Sequence, residues 1–392
     1  MANQIQVLHI ITRLIVGGAQ EATILTAAGL DKSRWAVSLL SGPQTGSEGS
    51  LIEHARSLDI PLTIEPSLVR ELNPLKDALA LLRLTQFIRK GRYAIVHTHS
   101  SKAGILGRWA ARLASVPVIV HTVHGWAHNP YQRPLVRQVY IGLEKLTLPI
   151  TDRLTTDSVL NIDEGLQDGI GRRENYVESP IRCGIELDRF GHPLAPREQT
   201  RAALNIPPAA PIVGTVTRLS PQKAPLDFVR AAAEIAKRVP AAYFVMVGDG
   251  PLRADVEQLA VGLGLADRLI LTGLRRDVPE LLAAFDVFVL SSLWEGLPRV
   301  LPQAMATGLP IVATAIDGNV EAIREGVNGY LSPAGEPAAL AAKVIELINN
   351  PQLAANMGAA GREIAPEFGA EKMVADIARL YLELLRQKTV ID

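Results

Sequence analysis

Short apolar runs alternate with helical patterns along the whole chain, the signature of βαβ units and parallel sheets. In the first half the runs predict strands at Gln4–Ile11, Ala36–Ser41, Leu62–Pro66, Ala94–His99, Val118–Val123 and Arg153–Asp157. In the second half they predict strands at Ile212–Arg218, Tyr243–Val247, Leu269–Thr272, Val287–Ser291 and Ile311–Thr314. Each half therefore reads as a doubly wound α/β unit. Between them, residues 190–211 carry Gly191, Pro193, Pro196, Pro207, Pro208 and Pro211 and no sustained strand, which predicts a linker with the boundary near residue 195. Met373, Ile377, Leu380, Tyr381 and Leu384 recur at helical spacing after Pro366 and Gly369, predicting an amphipathic helix over 371–387. The expected domains are 1–195 and 196–370, followed by a terminal segment, 371–392. Two doubly wound sheets would offer the carboxyl ends of both strand sets to a crevice, so ligands are expected between the domains.

A length of 392 residues suits two domains better than one core. With 48% hydrophobic and only 5% aromatic residues, the composition fits layered helices and sheets. Basic and acidic residues balance at 40 each, which argues against a dedicated nucleic-acid binder. The halves differ slightly: residues 1–195 hold 21 basic and 18 acidic side chains, which suits a first domain that meets an anionic lipid or a diphosphate-bearing acceptor. Cys183 is the only cysteine, so no intrachain disulfide can form and a reducing compartment is expected. The opening MANQIQVLHII has no charged region or cleavage site, and no run reaches about 18 apolar residues. The expected location is cytoplasmic, with peripheral membrane contact suggested by WAHNPYQRPLVRQVYIGLEKL and LLRLTQFIRKGRY, which mix basic and apolar groups.

The candidate chemistry gathers at predicted strand ends. After Ile212–Arg218, the segment LSPQKAP places Arg218 at the strand end and Lys223 just before a helix. Two cations beside a helix N-terminus make a ready anion site, of a kind that suits a diphosphate. Gly248 in GDGP permits a tight turn, and the turn after Thr272 brings the backbone of Gly273 and Leu274 toward the same edge, where it could read a base. In LSSLWEGLPRVLPQAMATG, Glu295 lies beyond a strand, Gly296 lets backbone approach a ligand, Pro298 is expected to start a helix, and Gln303 lies along it. Pro302 is expected to bend that helix.

This constellation resembles the retaining glycosyltransferases of family 4, which have the GT-B fold of two Rossmann-like domains, and the resemblance covers essentially the whole chain. Their motif is a Glu, seven residues, then a second Glu; Glu295 matches the first, and Gln303 stands at the second. The resemblance implies that Glu295 meets the donor sugar hydroxyls, that amides near Gly296 and Leu297 approach sugar and phosphate, and that Gln303 meets the ribose. An amide offers one acceptor where a carboxylate offers two, so weaker or reoriented ribose binding is expected. Arg218 and Lys223 match the diphosphate-binding Arg and Lys, while Ala224 stands where Gly is common.

In the first half, Gly17 and Gly18 precede a helix, and a matching loop in the family lies near the donor diphosphate and the acceptor. All eight histidines lie at or before position 192, and five cluster in VHTHSSKAGILGRWAARLASVPVIVHTVHGWAH. The family reading assigns HTVHG to a loop facing the sugar, making His124 the candidate for contacting the donor sugar or orienting the acceptor. HTHSSKAG looks like the acceptor-side loop of polysaccharide-building members, with His99, Ser101 and Lys102 expected to be exposed and Gly104 expected to begin a helix.

The expected activity is transfer of a sugar from a nucleotide sugar, with UDP-sugars favoured, to a glycan or lipid-linked acceptor. No Asp-x-Asp triplet occurs in the sequence, so charge stabilisation is assigned to Arg218, Lys223 and helix N-termini, with no metal or other cofactor. The terminal helix is expected to brace the first domain, as in relatives. The rivals are an epimerase or phosphorylase on the same scaffold, an inactive binding partner, which Gln303 encourages, and a metal-dependent hydrolase using His97 and His99.

Overall fold

The computed structural model describes residues 4–44, 49–128 and 132–391. Residues 1–3 of the opening segment and Asn129, Pro130 and Tyr131 of the basic apolar stretch lie outside the described residues. Two compact units form, the first from 1–184 together with 370–392, the second from 185–369. The boundary therefore falls before residue 195. Ile185 and Phe190 are buried in the core of the second unit, and 190–211 holds the helices Leu187–Gly191 and Arg197–Ala203 in place of a bare linker.

The first unit is built on a parallel sheet of β1 (Ile5–Ile11), β2 (Trp35–Ser41), β3 (Leu62–Ile64), β4 (Ile95–His99), β5 (Val118–Val123) and β6 (Arg153–Thr156), in the order β3-β2-β1-β4-β5-β6. β4 and β5 are buried along their whole length, as strands covered by helices on both faces must be. One face, carrying Val7, Ile95, Val118 and Val120, packs against the terminal helix Ala370–Gln387 through Met373, Ile377, Leu380, Tyr381 and Leu384. The other face, with Leu8, Ile10, Val96 and Ile119, packs with Leu84 and Ile88 of the helix Pro74–Gly91 and with Ala103 and Ala110 of the helix Ser101–Leu113. That last helix begins at Ser101, before Gly104. A Cβ at Gly104 would lie 2.5 Å from His121 Cε1, so the glycine serves close helix–sheet packing and does not mark the helix start.

The second unit carries β7 (Ile212–Val216), β8 (Tyr243–Val247), β9 (Leu269–Gly273), β10 (Val287–Leu290), β11 (Ile311–Thr314) and β12 (Gly329–Ser332), ordered β12-β11-β10-β7-β8-β9 and parallel throughout. The sequence pattern gave no sign of β12, because Gly329-Tyr-Leu-Ser is short, half-buried at its centre and opens on a glycine. Strand order reverses between β1 and β4 in the first sheet and between β7 and β10 in the second. At such points adjacent connections leave in opposite directions, and the loops beyond the carboxyl ends have room for a ligand.

Candidate active site

In the second unit the loops leaving β7 and β10 meet at the reversal point. Leu293 N–H donates to Gln222 O at 2.8 Å, Gln222 Nε2 donates to Trp294 O at 3.0 Å, and Ser291 Oγ donates to the Lys223 and Ala224 carbonyls at 3.1 Å each. This stitching brings Lys223 Nζ onto Glu295 Oε1 as an ion pair, and Ser292 Oγ donates to the same oxygen at 2.6 Å. The Glu295 side chain is 5% exposed and that of Lys223 20%, so the carboxylate is held in place by two donors while the ammonium keeps an open side. Arg218 follows Val216, the last residue of β7, and is exposed. The two cations expected to act alike thus differ: Lys223 is tied to the Glu295 carboxylate, and Arg218 is presented to solvent.

The glycines of the β8 and β9 turns have separate reasons for being there. Gly248 has φ +132°, and a Cβ there would lie 2.0 Å from Thr217 O; at Gly250 it would lie 2.4 Å from Leu219 O. These contacts draw the GDGP turn onto the segment between β7 and Lys223, where Leu219 N–H donates to Asp249 O at 3.0 Å. Gly248 N–H in turn donates to Gly273 O at 2.9 Å, and Leu274 beside it is 56% exposed. Leu297 is buried in the core, so only its backbone can face a ligand. Gly296 O would lie 1.9 Å from a Cβ at Gly318, which makes the start of the helix Asp317–Ala322 a close neighbour of the Glu295 turn.

The helix expected from Pro298 runs from Val300 to Thr307, with Gln303 half-buried in its middle. Pro302 is its third residue. The first four N–H groups of a helix have no intrahelical acceptor, so this proline removes no hydrogen bond and gives no cause for the expected bend.

In the first unit Gly17 caps the helix Gly18–Gly29 with extended backbone, and Glu21 N–H donates to Gly17 O at 3.0 Å. Thr12, just past β1, bonds Ser100 Oγ at 2.7 Å and accepts from Ala103 N–H at 3.1 Å, joining the ends of β1 and β4 at the reversal point. Ser101 is half-buried at the start of its helix. Lys102 is not a free surface cation: it pairs with Asp77 at 2.5 Å and donates to Glu71 O, with its side chain 12% exposed. His99 was expected to be exposed and is 2% exposed, because β4 is covered on both faces to its last residue.

His99 instead bonds two other histidines. Its Nε2 lies 3.0 Å from His9 Nδ1 and its Nδ1 3.0 Å from His124 Nε2. His124, one residue beyond β5, is further held by Asp157 Oδ2 at 3.1 Å from its Nδ1, and Cys183 Sγ donates to that oxygen at 3.1 Å. His97 lies between Tyr381 Oη and Thr122 Oγ1, each at 2.6 Å. Burial holds the His9 imidazole down at about 3, and holds His97, His99 and His121 well below the ordinary histidine value. One ring nitrogen from each of His9, His97 and His99 lies within 4.8 Å of the other two, a spacing an ion could bridge, yet all six ring nitrogens are already hydrogen-bonded within the protein. A cavity of about 220 Å³ opens beside this cluster, lined in part by Ser100, Ser101, His121, His124, Trp126 and Tyr140.

The sequence pattern points to His124, Lys223 and Glu295 but not to His9, Asp157, Ser292 or the hydroxyl of Tyr381. The available signal was parity. His9 sits in an apolar strand, in register with His97 across β1 and β4, so the two must share a face.

Comparison with known proteins matches residues 17–175 to the glycosyl transferase 4-like domain and residues 196–364 to glycosyl transferases group 1. The UDP-Gal:alpha-D-GlcNAc-diphosphoundecaprenol alpha-1,3-galactosyltransferase of Escherichia coli is 33% identical over 98% of this chain and 99% of its own length. The putative glycosyltransferase EpsD of Bacillus subtilis is 30% identical over 77% of the chain and 80% of its own. Among solved structures, HepE of Anabaena in complex with UDP and glucose superposes with a TM-score of 0.84 at 23% identity, covering 97% of this chain and 100% of that one. Matched at both halves and along nearly its full length, the chain belongs to the family-4 glycosyltransferases, with the GT-B fold of two Rossmann-like domains.

Proposed function

We propose that this glycosyltransferase moves a sugar from a UDP-sugar to a glycan or lipid-linked acceptor with retention of anomeric configuration and without a metal ion. The observation that carries the reading is the Lys223–Glu295 pair at the reversal point of the second sheet, beside exposed Arg218 and the glycine turns after β8 and β9. The 33% identical relative is a UDP-Gal transferase acting on a diphosphoundecaprenol-linked sugar, and HepE has been solved with UDP and with UDP-glucose, which supports the donor and acceptor classes.

In this reading the second unit binds the donor. The backbone at Gly273 and Leu274 meets the base, Gln303 the ribose, and the amides of Gly296 and Leu297 the sugar and phosphate. Arg218 and Lys223 stabilise the charge that grows on the departing diphosphate, as preorganised donors aimed where charge develops. Glu295, fixed by Ser292 and Lys223, accepts hydrogen bonds from the sugar hydroxyls. The acceptor oxygen bonds to the anomeric carbon from the leaving-group face as the carbon–phosphate-oxygen bond breaks, and the acceptor proton passes to a phosphate oxygen of the leaving UDP. No protein nucleophile is needed.

The first unit takes the acceptor, with the cavity beside Ser100, Ser101 and His124 as its site. Both ring nitrogens of His124 are bonded within the protein, so the loop contributes its backbone and the fixed edge of the ring. A lipid-linked acceptor also implies peripheral membrane contact. Leu75 (85% exposed), Leu79 and Leu82 on the helix Pro74–Gly91, and Leu135 (77%), Val139 and Leu146 on the helix Pro134–Thr147, supply exposed apolar groups beside lysines and arginines. Among the described residues no helix is long and apolar enough to cross a membrane.

The test is a thermal-shift panel of UDP-, GDP- and ADP-sugars, then product analysis with the stabilising donor. A UDP-sugar should stabilise most, the product should be a new glycoside of retained configuration, and turnover should survive EDTA. A rearranged donor sugar without a glycoside would mean an epimerase. Loss of turnover in EDTA with recovery on added Mg²⁺ would overturn the metal-free step.

A further inference from the structure

The buried histidines of the first unit are not independent packing residues. Their contacts form one file: Asp157 Oδ2 to His124 Nδ1 at 3.1 Å, His124 Nε2 to His99 Nδ1 at 3.0 Å, His99 Nε2 to His9 Nδ1 at 3.0 Å, and His9 Nε2 to Tyr381 Oη at 3.3 Å. The file continues from Tyr381 Oη to His97 Nδ1 at 2.6 Å, His97 Nε2 to Thr122 Oγ1 at 2.6 Å, and Thr122 Oγ1 to Thr155 Oγ1 at 2.7 Å. Every imidazole joins its neighbours by one Nδ1 and one Nε2.

A neutral imidazole has one donor and one acceptor nitrogen, a hydroxyl has a single proton, and a carboxylate has only acceptors. For a file of four neutral rings these rules leave one ordering consistent with a carboxylate at its end. Asp157 can only accept, so His124 must carry its proton on Nδ1 and accept at Nε2. His99 must then donate from Nδ1 and accept at Nε2, and His9 likewise. The Tyr381 hydroxyl donates to His9 Nε2 and accepts from His97 Nδ1–H, and Thr122 donates to His97 Nε2 and accepts from Thr155. Burial penalises the imidazolium of His9, His97 and His99, and it likewise keeps the Tyr381 phenol protonated by raising it well above its ordinary value. Cys183 Sγ lies 3.1 Å from the same Asp157 oxygen and 3.3 Å from His124 Nδ1, so in this ordering its S–H donates to the carboxylate while its sulfur faces the His124 Nδ1–H.

We propose that Asp157 sets the tautomer of His124, His99, His9 and His97 through this single file, making Asp157 and Tyr381 positioning residues that fix the His124 loop against the terminal helix. The loop so fixed, from Val123 through Trp126, lines the cavity of the first unit. In this ordering the His124 Nε2 lone pair is spent on His99, so the ring is held as a rigid edge and does not serve as a base. The conclusion extends the acceptor-site reading given above, but the ordering does not depend on it: a protein that transferred no sugar would still show the tautomers.

The test is long-range ¹H–¹⁵N spectroscopy of the full chain labelled on histidine, which separates Nδ1–H from Nε2–H rings directly. In the unmodified protein His9, His97, His99 and His124 should all be neutral Nδ1–H tautomers. In Asp157→Asn the side chain can accept through Oδ1 or donate through Nδ2, so the acceptor-only bias is lost and Nε2–H rings should appear along the whole file, with Tyr381 donating to His97 in the reversed ordering. An Nε2–H or doubly protonated ring at any of the four positions in the unmodified protein at neutral pH would overturn the proposal. So would an Asp157→Asn spectrum that is unchanged or altered at His124 alone. Tyr381→Phe provides a second test should the first variant fail to fold. It cuts the file in the middle, so His124, His99 and His9 should remain Nδ1–H and only His97 should redistribute; a change of tautomer at His99 or His124 would equally defeat the proposal.

Discussion

The two sheets share one strand order and one reversal point but solve the burial of polar groups in opposite ways. In the first, the carboxyl halves of β1, β4, β5 and β6 carry His9, His97, Thr98, His99, His121, Thr122, Thr155 and Thr156, all buried. In the second, β8 and β10 read Tyr-Phe-Val-Met-Val and Val-Phe-Val-Leu, and the charges stand in the loops beyond the strand ends. Inside a sheet covered on both faces a charge is too costly, so these strands use groups that satisfy one another while neutral and leave the Asp157 carboxylate just past β6. A loop at the surface can hold an ion pair with one side open, as Lys223 and Glu295 do. The same topology thus supports a neutral hydrogen-bonded framework in the strands of one unit and an ion pair in the loops of the other.

The sharpest way to break that contrast is to remove the charge from the second unit. Lys223→Ala should lower kcat/KM about a hundredfold or more, about 3 kcal/mol, the usual scale for losing one preorganised donor to developing charge. A change within twofold in steady-state assays would mean that the Lys223–Glu295 pair is only structural. The first unit should instead be the one that acid attacks. The unfolded chain protonates His9 below about 6.5 while the folded chain resists until about 3, so the unfolded state binds more protons across that window. Stability is complete above it and falls by about 1.4 kcal/mol per pH unit on acidification, about 2 kcal/mol at pH 5 from His9 alone. His97, His99 and His121 act in the same direction, and the one histidine of the second unit, His192, is exposed. Hydrogen exchange between pH 7 and 5 should loosen β1, β4 and β5 before β7 and β10; the reverse order would remove the distinction.

Glu295→Ala is expected to cut kcat/KM at least about tenfold, roughly 1.4 kcal/mol. It also frees Lys223, so comparison with Glu295→Gln separates loss of the sugar contact from release of the ammonium. Wild-type kinetics in both variants would take Glu295 out of the site.

The fold was legible because βαβ periodicity is local, and the eleven expected strands all reappear within a few residues of their predicted ends. Glu295 and Lys223 were legible because a loop between a strand and a helix is where charge can stand. The histidine file was not. Its members are separated by up to 372 positions, as with Tyr381 and His9, and their pairing depends on strand register and on which sheet face the terminal helix covers. His99 shows the cost of reading locally: HTHSS looks like an exposed polar loop until β4 is seen to be buried through its last residue. The terminal helix itself followed from apolar spacing, but spacing could not say that its buried Tyr381 joins two stretches of a polar file.

The smallest effect concerns backbone strain beside the charged site. Ala224 has φ 42° and ψ 54°, the left-handed region, and precedes Pro225 at the start of the helix Pro225–Arg238. For an L-residue with a Cβ that conformation costs about 1–2 kcal/mol, and a following proline narrows the alternatives further. Glycine removes the penalty but returns about 0.5–1 kcal/mol of freedom to the unfolded chain. Ala224→Gly should therefore stabilise the protein by about 0.5 kcal/mol, seen as a small rise in the unfolding midpoint. The first unit has a counterpart in Ser100, just past β4, at φ 60° and ψ 156°, where the hydrogen bond to Thr12 holds the strained residue. A lowered midpoint in Ala224→Gly would mean that the methyl group packs well enough to offset its strain, and that the loop holding Lys223 is secured by side-chain contact as well as by the bonds from Ser291.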